Sequence, residues 1–229
     1  MKNRKKIIIV TDSVSMPRTE VPYESTWIYL LKNKFRNLDV IDRPERGSTT
    51  IRLITEGGGG ADLLETYMPD YIILQTGLTE CAPRLFKKNG FERRFINHLP
   101  QKVRDDYING IREKRGRNPE FTDISPEQFR SHIFSYAERC RSINTALVIF
   151  KILRPTDLFI QKSPFITRNI DLYNSIFDEA AEYFSNITIL EPVKKEIDVN
   201  TICLDELHIN PEGHQLYFKA VDEYFRKKK

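Results

Sequence analysis

Two places in the chain bring together residue types that could attack a carbonyl and move a proton. The first is Asp12-Ser13, where the apolar run Ile7-Ile8-Ile9-Val10 ends at Thr11. A serine there is a weak nucleophile unless a base takes its proton. The second is Leu204-Asp205-Glu206-Leu207-His208-Ile209-Asn210-Pro211. Asp205, three residues before His208, can turn back to accept a hydrogen bond from the imidazole. That would fix the tautomer and stabilise the imidazolium formed during proton transfer. On its own, Asp-x-x-His is common and reads more readily as a loop and helix-cap pair. The other histidines sit in less suggestive places: His132 within an amphipathic helical pattern, His98 in a basic segment, and His214 inside the last helix.

Three further signals are weaker. Gly57-Gly58-Gly59-Gly60 lacks the Lys-Ser/Thr that follows a phosphate loop and reads as a flexible turn. Asp12 as a phosphoacceptor has no partner acid clustered beside it in the sequence. Cys81 and Cys203 lie near the segments of interest but read as small buried residues. Three cysteines are sparse and odd in number, which points to reduced thiols and a cytoplasmic setting.

The elements that must position these residues follow from periodicity. Residues 6–11, 37–42, 70–76, 145–152 and 187–191 read as strands. The first, third and fourth are almost wholly apolar, as expected of strands covered on both faces. Between them run helical patterns at 24–36, in a short stretch after Gly47, at 126–142 and at 168–184. A last helix begins at Asn210-Pro211. Trp27 and Tyr23, near the start of the first helix, are candidates for the pocket wall, with core packing the stronger reading for Trp27. Ser125, Pro126 and Gln128 form a capping box for the helix at 126–142. This alternation predicts a doubly wound parallel sheet in one α/β domain spanning residues 1–229.

The bulk numbers set limits. A chain of 229 residues, 40% hydrophobic and 30% charged, can bury a core. A net charge of +4 is too mild to imply nucleic acid. No apolar run reaches the roughly 18–20 residues needed to span a bilayer. Residues 84–118 break the alternation, with eleven Lys or Arg against four acids. They read as part of a basic helical insertion at 85–125, following the third strand. It is either a solvated helix pair or a lid and basic rim facing an anionic substrate or partner. Few aromatics interleave these charges, which argues against a nucleic-acid platform.

Taken together, Asp12-Ser13 after the first strand and Asp205-x-x-His208 before the last helix resemble the SGNH/GDSL hydrolase family. Arg46-Gly47-Ser48-Thr49-Thr50 after the second strand is similar to its glycine block. Gln75-Thr76-Gly77-Leu78-Thr79-Glu80 after the third strand is similar to its Gly-x-Asn-Asp block. The order of these blocks agrees from residue 7 to residue 214. Gln75 to Arg84 looks like a branch of the family found among bacterial proteins, often near surface-polysaccharide genes. The resemblance implies a flavodoxin-like three-layer α/β/α fold with a five-stranded parallel sheet. It implies ester hydrolysis or acyl transfer through an acyl-serine, without metal or cofactor. Ser13 would be the nucleophile, His208 the base and Asp205 the residue that orients it. The amides of Ser13 and Gly47 would face the oxyanion. Thr11 replaces the family's usual glycine before Asp-Ser, and Thr79 replaces the asparagine that normally donates to the oxyanion. Losing one such donor costs roughly 10²–10³ in rate, about 3–4 kcal/mol; the Thr79 hydroxyl, or a charge from Arg84, is the expected substitute. Asp12, Gly77 and Glu80 are placed with the substrate. Arg18 and Arg84, each directly after a proline that closes a motif, are read as holding an anionic substrate group by bidentate contact, the alternative being an ion pair. The expected substrate is an acylated carbohydrate or another small ester. Competing readings are an O-acyltransferase using the same triad and a non-catalytic binding protein on this fold.

Overall fold

The computed structural model describes residues 4–55, 61–86, 90–115, 118 and 120–228; Gly57–Gly60 lie outside them. Five parallel strands form one sheet: β1 (Lys6–Thr11), β2 (Asp39–Pro44), β3 (Tyr71–Gln75), β4 (Ala146–Phe150) and β5 (Ile187–Leu190). Their order is β2-β1-β3-β4-β5. The near-continuous apolar strands are the three central ones. Ile7 to Ile9, Ile72 to Leu74, and Leu147 with Ile149 and Phe150 have no exposed surface. β2 and β5 form the edges and are only half-buried. Pro44 is tolerated because it ends an edge strand, where a missing N–H breaks no inner ladder.

Helices cover both faces of the sheet. Trp27–Lys34 packs with Pro211–Lys227, while Pro126–Ser142 packs with Ile166–Tyr183. Phe150 carries the contact to one layer, with ring centroids 5.3 Å from Trp27 and 4.8 Å from Tyr217. Burying each such ring is worth about 1.5–3 kcal/mol. The predicted capping box is present: the Gln128 amide donates to Ser125 Oγ at 3.3 Å, and the Ser125 amide donates to Gln128 Oε1 at 3.2 Å. The second strand starts two residues later than predicted, because Leu38 N donates back to Phe35 O (2.9 Å) and so spends residues 36–38 in a turn. The insertion between β3 and β4 contains helices Phe91–Asn97 and Gln101–Arg115.

β1 lies between β2 and β3, so the chain leaves it towards one edge and returns on the other side. A crevice forms outside the carboxyl ends of strands at such a reversal. Thr11 is opposite Pro44 on one side and Gln75 on the other. Residues 12–13, 45–50 and 76–80 therefore meet at one edge of the sheet.

Candidate active site

Ser13 is the first residue of a single 3-10 turn, Ser13–Ser15. Asp12 caps that turn, its Oδ1 accepting from the Val14 amide at 2.9 Å. Ser15 Oγ donates to Thr11 Oγ1 at 2.5 Å, which ties the turn to the end of β1. Thr11 thus has a structural use at the position where a glycine was expected.

The Asp205–His208 loop owes its shape to the Asp205 carboxylate. Its Oδ1 accepts from the amides of Leu207 (2.9 Å) and His208 (2.8 Å). Leu204 N donates to His208 O at 2.7 Å, and Cys203 bridges Ile209. A short carboxylate at this position closes the turn and meets the ring: His208 Nδ1 lies 2.9 and 2.8 Å from the two Asp205 oxygens. Asn210 caps the following helix by accepting from Gly213 N (3.0 Å). Thr156 N and Oγ1 both donate to Glu206 O, which fixes the loop against the segment after β4.

The fold then brings Ser13 and His208 together across 195 residues, with Ser13 Oγ 3.3 Å from His208 Nε2. Burial lowers the basicity of the His208 ring. The Asp205 carboxylate opposes that shift, whereas the charges of Arg18 and Arg46 add to it. Burial works against the Asp205 charge, but the two loop amides and the ring hold its carboxyl below the usual range. This combination favours a neutral imidazole with its proton on Nδ1 and Nε2 open to the serine hydroxyl.

The glycine-bearing loop after β2 is tied down at both ends. Glu45 N donates to Thr11 O at 3.0 Å, and Thr50 N donates to Glu80 Oε1 at 2.7 Å. Gly47 has φ +62° and Gly77 has φ +114°, both in the left-handed region. A Cβ at Gly77 would also run into the Ile152 side chain, which adds to the conformational preference for glycine in the third block. The Thr79 side chain is half-buried, and its hydroxyl makes no hydrogen bond among the described residues.

Three of the expected substrate-binding residues are placed differently. Glu80 has no exposed surface. Its carboxylate accepts from Thr50 N, Gly77 N (3.1 Å) and Thr76 Oγ1 (3.2 Å), so it joins the second and third blocks rather than facing a ligand. Burial pushes its carboxyl up to about 7 despite these donors, with the Asp12 charge adding to the rise. Asp12 is likewise buried, pushed up to about 6, and committed to the Val14 amide. Arg84 is occupied: its Nε lies 2.9 Å from Asp123 Oδ2, and its Nη2 donates to Thr79 O at 2.6 Å. It therefore supports the backbone of the third block. Arg18, by contrast, lies against the nucleophile turn, with Nη2 3.4 Å from Ser13 O.

The remaining candidates are structural. His132 Nδ1 lies 2.9 Å from Thr50 Oγ1, buttressing the second block from the helix Pro126–Ser142. His214 is buried and accepts from Trp27 N at 3.3 Å, and burial takes its ring down to about 4. Trp27 is fully buried in the core, while Tyr23 is exposed. Burial raises the thiols of Cys81 and Cys203, the latter to about 11, so neither is a ready thiolate. A cavity of about 660 Å³ opens beyond the carboxyl ends of β4 and β5, beside Lys151, Asn174, Glu191 and Asn200; Ser13 and His208 do not line it. Among the described residues, no helix is long and apolar enough to cross a membrane.

No protein-family model and no curated protein matches the chain. Solved structures do share its fold. A lipase/acylhydrolase from Enterococcus faecalis superposes with a TM-score of 0.64 at 14% identity, covering 98% of this chain and 96% of that one. A catalytic mutant of Axe2, an acetylxylan esterase from Geobacillus stearothermophilus, gives 0.61 at 12% identity over 96% and 93%. A member of the lipolytic G-D-S-L family from Veillonella parvula gives 0.55 at 14% identity over 97% and 98%. The chain shares the fold of these proteins, with its five-stranded parallel sheet covered by helices on both sides.

Proposed function

We propose that this chain is a serine ester hydrolase built on the G-D-S-L hydrolase fold. One observation carries the reading: Ser13 Oγ, His208 Nε2 and the Asp205 carboxylate form a continuous relay, with links of 3.3 and 2.8 Å. The Ser13 oxygen attacks the ester carbonyl while Nε2 takes its proton. Asp205 holds the ring and stabilises the imidazolium. The alcohol leaves with that proton, giving an acyl-serine. Water, deprotonated by the same nitrogen, then releases the acid. The amides of Ser13 and Gly47 are the oxyanion donors, with the Thr79 hydroxyl as the third. A small acylated compound, carbohydrate esters included, is the substrate class. The acetylxylan esterase among the similar structures supports that class.

The test is a pH profile of aryl-acetate hydrolysis. The base works only as neutral imidazole, so kcat/KM falls as pH drops through the His208 pKa. Burial, with Arg18 and Arg46, sets that midpoint below the usual 6.5 of histidine. Activity should therefore be level from pH 7 to 8 and fall off below 6.5. A profile still rising steeply between pH 7 and 8 would contradict His208 as the base. Running the assay with added sugar alcohols distinguishes hydrolysis from transfer, since a transferase gives acylated sugar in place of free acid.

A further inference from the structure

Most arginines in and around the site already have a carboxylate. Arg52 faces Glu45, Arg84 faces Asp123, and Arg139 faces Glu65. Arg18 and Arg46 do not: among the described residues neither makes an ion pair. Arg18 is half-buried, and its Nε is cut off from solvent without a hydrogen-bond partner, although Nη2 reaches Ser13 O at 3.4 Å. A buried donor left unpaired is destabilising, the more so when it is charged. Arg46 is exposed and immediately precedes Gly47, on the loop held beside Ser13 by the Glu45–Thr11 hydrogen bond. Arg18 thus lies against the nucleophile turn, and Arg46 stands on the neighbouring second-block loop, near enough for its charge to act on His208. Both charges also disfavour the His208 imidazolium, which the reaction must form. An anion bound beside them would offset that penalty.

We infer that Arg18 and Arg46 form an oxyanion-binding subsite beside Ser13, and that the preferred ester carries a negatively charged group, such as a carboxylate, close to its scissile carbonyl. Guanidinium donors suit such a group because they bind both of its oxygens at once. The inference rests on the esterase reading and names the substrate class of the same site.

Two pairs of esters, matched in size but not in charge, test it. 4-Nitrophenyl hemisuccinate against 4-nitrophenyl butyrate places the charge on the acyl side. 3-Acetoxybenzoate against 3-acetoxybenzamide places it on the alcohol side. The native protein is expected to prefer the charged member of at least one pair by tenfold or more in kcat/KM, and the pair identifies the side. The double variant R18Q/R46Q should lower that charged-to-neutral ratio at least tenfold. It should also move the acid limb of the neutral ester's profile to higher pH, because removing two positive charges makes the imidazole more basic. A ratio near one for both pairs, or one that survives in the double variant, overturns the subsite. Titrating the same pairs onto the Ser13→Ala protein by calorimetry reads the preference without turnover, with the same two outcomes. Ester hydrolysis that persists in Ser13→Ala would overturn the esterase reading instead, so the two failures are distinguishable.

Discussion

Ser13→Ala is expected to lower kcat for aryl-ester hydrolysis by about 10⁴ or more, with little change in KM or stability. In the proposed mechanism the hydroxyl forms the covalent intermediate, so its removal takes away the step itself rather than a binding contact. Ser13 is half-buried and, among the described residues, its Oγ makes a single hydrogen bond, to His208. Loss of that oxygen should thus cost the fold well under 1 kcal/mol. Residues that act as one relay are not additive: once the nucleophile is gone, the base has nothing to activate. Ser13→Ala combined with His208→Ala should therefore be no slower than either alone. Steady-state kinetics on the three variants checks this. A double variant slower than both single variants by a further 10³ would mean that the two residues work in separate steps.

The largest expected effect on stability comes from Glu80. Its carboxylate takes two backbone amides and a threonine hydroxyl in a site without solvent. Glu80→Ala leaves both amides buried and unpaired, at about 1–3 kcal/mol each. An overall loss of about 3 kcal/mol at pH 5 is expected in urea unfolding. The pH dependence gives a sharper signature. Burial raises this carboxyl from 4.5 to about 7, so the native state holds its proton over a range where the unfolded chain has lost it. The stability linked to that proton is full below 4.5 and is lost as pH rises through 7, on the order of 3 kcal/mol across the window. Asp12, raised to about 6, contributes with the same sign over a lower window. Glu80→Gln cannot titrate, so its deficit relative to the native chain should shrink between pH 5 and pH 8. A deficit that is constant with pH would mean that Glu80 stays ionised throughout. Either variant should also be a poorer catalyst, because Thr50, held by Glu80, anchors the loop that carries Gly47.

Much of this was legible in the chain because it is written locally. The apolar runs of the central strands, the capping box at Ser125 and the Asp205-x-x-His208 spacing each depend on neighbours within a few residues. The order of the four blocks then placed Ser13 and His208 at one sheet edge, although 195 residues separate them. What could not be read depends on partners distant in sequence. Glu80 looks like a polar residue after a glycine; only the packing of Thr50, thirty residues earlier, shows that it is buried. Arg18 and Arg84 follow prolines in the same way, yet Asp123 takes one and leaves the other, and nothing near either arginine announces that difference. Arg46 acts on His208, 162 residues later, so nothing in its immediate neighbourhood reveals that coupling.

In the proposed mechanism Ser13 is a nucleophile activated by His208. Treatment with a fluorophosphonate, followed by peptide mass spectrometry, tests it most directly. The reagent phosphonylates only a serine whose proton can be removed, and the expected result is one adduct, on the peptide containing Ser13, absent from both Ser13→Ala and His208→Ala. An unmodified Ser13 in the native protein, or an adduct that persists in Ser13→Ala, would contradict the account.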